Sequence, residues 1–162
     1  MSQVIMSNRW WKQAILRGHE HFNRQDYDKA SVEYYRALIH SESLYKLRGT
    51  KAFRLQFDVP FHCMYVIACY NLADTFHCKN EPDLVQHYLE SAFCHMNYEM
   101  RRFRYCQKHQ QCVSHHYYHA LNTLTHYLKQ QGYSNEKIGD NLGKLSAQMV
   151  TPSVDNLARD AH

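Results

Sequence analysis

With 162 residues and 44% hydrophobic side chains, the chain is long enough for one domain with a real core. Its formal charge of +4 is mild, and acidic and basic residues are interleaved, so composition gives no argument for nucleic acid or an anionic membrane as partner. Only 5 Gly and 3 Pro, among many Tyr, Leu, Ala and His, fit an all-α protein and leave too few turn formers for a strand-rich one. The longest apolar neighbourhood, Cys63 to Leu72, is broken by Asn71 and falls short of the roughly 18 residues a bilayer span needs. Met1 to Met6 lacks the positive start and apolar core of a secretory signal. The expectation is a cytoplasmic protein, no membrane, with its 6 cysteines reduced and mostly packed in the core.

The first predicted helix starts at a Ser7 or Asn8 cap and runs to Asn23, with Trp10, Trp11, Ala14, Ile15, Gly18 and Phe22 on its buried side. Asp26 caps a second helix, which continues past Glu42 because Leu44, Tyr45 and Leu47 keep the apolar rhythm. A connector follows over residues 48–59, and Pro60 opens a third helix. Asn80, ahead of Glu81-Pro82-Asp83, marks the start of a fourth, which extends through Phe93, Met96 and Met100. A last hairpin is expected from Gln111 to Met149, turning at Gln131-Gly132-Tyr133 with a Ser134 cap. Residues 1–150 thus read as one helical domain, and 151–162 as a tail after the breaker Pro152.

The stretch Trp11 to Leu38 carries the most specific pattern. Gly18 is followed by the polar turn around Asp26, then by Ala30, Tyr34 and Ala37 on one helix face. The order of small and aromatic residues, with Tyr27 between, resembles a tetratricopeptide repeat. Ala73, Val85, Leu89 and Ala92 repeat the same offsets 55 residues later. Matching Tyr133 to Tyr27 places Leu124, Glu136, Asp140 and Gly143 on a third, degenerate seam. The resemblance implies an all-α, right-handed superhelix of two to three antiparallel hairpins plus a C-terminal helix, acting as an interaction adaptor or chaperone. In that family the first helix of each hairpin lines a concave surface, which here implies Lys12, Ile15, His19, Phe22 and Asn23, then Ile67, Tyr70, Asp74, His77 and Cys78, then Tyr118, Leu121, Thr125, Leu128 and Lys129. Such an apolar and aromatic groove suits a protein or peptide partner with hydrophobic anchors, and it also allows a homodimer.

The 13 histidines offer a second reading. Cys106, His109, Cys112, His115, His116 and His119 are the densest set, and on a helix His115 and His119 form an i, i+4 pair suited to a transition metal such as zinc. A further ligand is expected from another helix, His87 or Glu90. A third reading takes Arg101, Arg102, Arg104 and Lys108, interleaved with Tyr98, Phe103 and Tyr105, as a nucleic-acid contact. The solvated end of a helix explains those cations as well. No phosphate loop, dinucleotide turn or serine elbow is present, and no cysteine sits at a Gly-rich turn that would activate it, so the expectation is no enzyme activity and no obligatory cofactor.

Overall fold

The computed structural model describes residues 3–46, 60–102 and 107–148, and among these six helices follow one another with no strand. They are α1 (Gln3–Asn23), α2 (Tyr27–Lys46), α3 (Phe61–Cys78), α4 (Pro82–Arg102), α5 (Gln107–Gln130) and α6 (Asn135–Ala147). Neighbours in sequence pack as pairs, consistent with an all-α helical-repeat fold. The predicted connector 48–59, the tail from 151, and 103–106 within the basic and aromatic stretch lie outside the described residues, as do the side chains of Arg102, Lys108 and His109. α1 begins at Gln3, so Ser7 and Asn8 are interior residues of the helix and not its caps. α2 does run past Glu42, to Lys46.

One backbone solution closes all three hairpins. Gln25 (φ 61°), Asn80 (φ 57°) and Gly132 (φ 82°) each take the left-handed conformation that ends a helix. Each donates its amide to the carbonyl three residues back (Phe22, His77 and Lys129, at 2.9, 3.1 and 3.0 Å). The next amide reaches five residues back, from Asp26 to His21, Glu81 to Phe76 and Tyr133 to Leu128. Asn80 therefore terminates α3, and Glu81 supplies the carbonyl that receives Leu84 and Val85 at the start of α4. Asp26 caps α2 through Oδ1, which accepts from the Lys29 amide at 3.4 Å, while Lys29 Nζ donates to Oδ2 at 2.7 Å and lowers the acid's pKa.

The seams follow from these turns. Ala14, Gly18, Ala30, Tyr34 and Ala37 close the α1–α2 hairpin, and Ala73, Val85, Leu89 and Ala92 close α3–α4, all of them buried. The third hairpin departs from the expected register. Its turn holds one more residue before the cap, with Ser134 Oγ accepting from the Lys137 amide at 3.2 Å, so Ile138, Leu142 and Leu145 stand as far from the cap as Ala30, Tyr34 and Ala37 do from Asp26. Ile138 and Leu145 are buried, whereas Glu136, Asp140 and Gly143 are exposed. With leucine and isoleucine at places where the first hairpin has Ala, α5 and α6 touch only sparsely. α6 touches α4 just as sparsely, but two hydrogen bonds tie it there: Asn141 Nδ2 donates to Glu90 Oε1 at 3.1 Å, and Arg101 Nη2 donates to the Ser146 carbonyl at 2.8 Å.

Candidate functional site

Contacts between alternate helices define the face on which the candidate residues gather. Trp11 of α1 donates its indole N–H to the Met64 carbonyl of α3 at 3.2 Å. On α3, His62 meets Cys112 and His116 of α5, and eight residues further on Tyr70 meets His119. Contact points that advance together along both helices require α3 and α5 to run side by side in the same direction. α1, α3 and α5 therefore form one layer.

Helical spacing then decides what α5 offers that layer. Val113, Ala120, Leu124, Tyr127 and Leu128 make its buried stripe. Cys112 and His116, four residues apart, sit on the margin of that stripe and are half-buried, while His115 and His119 lie further round and are exposed. His62, in the first turn of α3, is only 3% exposed, with Phe61 edge-on to its ring at 5.7 Å. Its Nε2 lies 3.7 Å from Cys112 Sγ, and its ring centroid lies 5.9 Å from that of His116. One ligand atom from each of His62, Cys112 and His116 falls within 4.8 Å of the others. Burial, followed by the His115 and His119 charges, lowers the pKa of His116. Next to this group, burial and the Cys112 charge push the Cys63 thiol up to about 12, an inert core thiol.

Of the six predicted metal residues, the structure brings Cys112 and His116 together. His115 has its ring 5.4 Å from His116 but belongs to the solvent side. His119 is engaged elsewhere, with Nδ1 3.1 Å from Tyr70 Oη and the rings 5.5 Å apart. Cys106 and the side chain of His109 lie outside the described residues. The expected partner from another helix is not His87 or Glu90. Those two line a separate cleft of about 210 Å³ with Tyr65, Cys94 and His95, and Glu90 accepts from Gln86 at 2.8 Å. His62 takes that place because α3, not α4, faces this side of α5. A sequence signal for it exists: His62 stands 18 residues before the turn residue Asn80, midway between the 20 and 16 residues that separate Cys112 and His116 from Gly132. Parallel neighbours bring equal distances from the turn to the same level.

The predicted groove residues divide in a similar way. Ile15 is 8% exposed and Leu128 fully buried, so both belong to the core and not to an open face. His19, Asn23, Asp74, His77, Cys78, Tyr118 and Lys129 are exposed; Lys12, Phe22, Ile67, Tyr70, Leu121 and Thr125 are half-buried. His19 meets the Tyr34 ring edge-on at 5.7 Å, and Phe22 meets Tyr27 at 5.4 Å. Burial pushes the Tyr70 phenol up to about 12, so it stays protonated at neutral pH.

A family model described as a protein of unknown function, DUF2753, matches residues 9–159. The chain belongs to that family. No curated protein and no solved structure matches the chain. In this DUF2753 protein no described helix is long and apolar enough to cross a membrane, and Cys63, Cys69, Cys78, Cys94 and Cys112 are free thiols.

Proposed function

We propose that this DUF2753 protein is a tetratricopeptide-like scaffold, an adaptor or chaperone that binds an extended or helical peptide segment along the α1–α3–α5 layer. The side-by-side, same-direction run of α3 and α5 carries the reading, because it sets Tyr70 against His119 of the neighbouring helix and leaves Asp74 and His77 exposed beyond that contact. The repeated turn geometry and the Gly18–Tyr34 contact support the repeat resemblance. An aromatic face with scattered charges favours a partner with apolar anchors. Free thiols and the lack of a membrane-crossing helix among the described residues fit a cytoplasmic scaffold, and the same face would also serve a second copy of the chain.

The test is selection of peptides from a displayed random library against the full chain, followed by affinity measurement on Tyr70→Ala and Phe22→Ala. Peptides rich in apolar anchors are expected, with binding at least about tenfold weaker in the variants and helicity unchanged, as for truncated aromatic anchors at an interface. Failure to select any peptide, or equal binding by both variants, would overturn the reading.

A further inference from the structure

Two imidazoles and a thiol converge at the start of α3 and α5 although 50 residues separate His62 from Cys112. We propose that His62, Cys112 and His116 hold a single transition-metal ion, zinc(II) foremost, through one nitrogen from each histidine and the thiolate sulfur, with the fourth position open. The donor set selects the metal class: nitrogen and sulfur ligands favour zinc and its neighbours over magnesium or calcium, which take oxygen. The geometry agrees with the size of such an ion. Zinc bonds of about 2.3 Å to sulfur and about 2.0 Å to nitrogen, at a tetrahedral angle, set the two ligand atoms about 3.5 Å apart. Cys112 Sγ and His62 Nε2 are 3.7 Å apart.

Burial adds preorganisation. His62 is held in the protein interior with Phe61 against its ring, so one ligand is positioned before the ion arrives, while half-buried Cys112 and His116 leave an approach from solvent. Binding forms one S–M and two N–M bonds, and the Cys112 thiol gives up its proton to solvent. The ion would clamp α3 to α5, so it would stiffen the same layer that the proposed groove occupies without being needed to form it.

The experiment is titration of untagged, metal-free full-length protein with cobalt(II), which reports coordination by its colour, followed by competition with zinc(II). One cobalt per chain is expected, with the intense visible bands of a tetrahedral site and a thiolate-to-cobalt charge-transfer band in the near ultraviolet. Cys112→Ser should abolish the charge-transfer band, and Cys78→Ser, an exposed thiol away from the cluster, should keep it. Because even outer-shell changes cost metal sites about 10–100-fold, His62→Gln should weaken binding at least about tenfold. Half-buried His116→Gln makes the same test should the His62 variant not fold. Cobalt bound without a charge-transfer band, or bound equally by Cys112→Ser, would place the ion on surface histidines such as His115 and His119 and overturn the proposal. Absence of binding would overturn it too.

Discussion

Gly18 lies directly beneath the ring of Tyr34: a β-carbon built on Gly18 would come 2.3 Å from Cε1 and 2.5 Å from Cδ1 of that ring. Tyr34 is 2% exposed and hemmed in, so it has no room to yield, and the α1–α2 approach depends on the missing side chain.

Gly18→Leu is therefore expected to destabilise the fold by about 1–3 kcal/mol through overpacking. Gly139→Ala is the control, since nothing lies within 4 Å of that position on α6; there the better helix former should stabilise by about 0.5–1 kcal/mol. Urea unfolding of the two variants reads both signs, and equal stability of Gly18→Leu and wild type would sink the close-packed hairpin.

The turns make a second pair of opposite expectations. Gln25 holds φ 61° with a side chain that the left-handed region disfavours, so Gln25→Gly should stabilise the protein by up to about 1 kcal/mol. Gly132→Ala, at φ 82°, should cost about 1 kcal/mol. Thermal melts of the two variants should move in opposite directions from wild type.

Buried Glu33 is braced by two arginines. Arg17 Nε of α1 donates to Oε2 at 2.9 Å, and Arg36 of α2 bonds Oε1. Either arginine is half-exposed, so Arg17→Ala or Arg36→Ala alone should cost no more than about 1 kcal/mol. The double variant leaves a buried carboxylate without either cation and should cost more than the sum, about 2–3 kcal/mol. A double-mutant cycle measures the excess, and strict additivity would refute the shared-brace reading.

His40 gives a pH dependence with a definite sign. Burial, and then the Arg17 charge, lower its pKa below the ordinary 6.5, with Trp10 packed 5.5 Å away. The unfolded chain then binds the proton more readily than the folded one. This contribution is full above pH 6.5 and is lost as pH falls from 6.5 through the lower folded value. Urea midpoints measured across that window should fall on acidification, less so in His40→Gln. A protonated ring beside Trp10 should also quench its fluorescence over the same window.

The hairpin seams were legible because they rest on local rules. A spacing of three and four selects one helix face, and small residues on that face admit a second helix, so Gly18, Ala30, Tyr34 and Ala37 could be read from their order alone. The third seam lies two residues beyond the register that Tyr133 suggests, for an equally local reason: Tyr133 resembles Tyr27 in its sequence setting, but it closes the preceding turn and Ser134 begins the helix. Counting from the cap recovers Ile138, Leu142 and Leu145.

The chemical sites were less legible. That α5 carries a thiol and several imidazoles follows from the sequence, but the spacing that pairs His115 with His119 selects two exposed residues, and it is Cys112 and His116 that the fold sets beside α3. Which residue completes the group depends on which helix lies alongside, a long-range choice made by packing. His62, not His87 or Glu90, supplies it because α1, α3 and α5 share a layer while α4 takes the other. The same packing withdraws Ile15 and Leu128 from the predicted groove, since burial depends on every neighbouring helix and not on one helix's own pattern. By itself the sequence determined the helices, their turns and two of the three seams, all set within a few residues of chain; only the tertiary structure decided which distant side chains face one another.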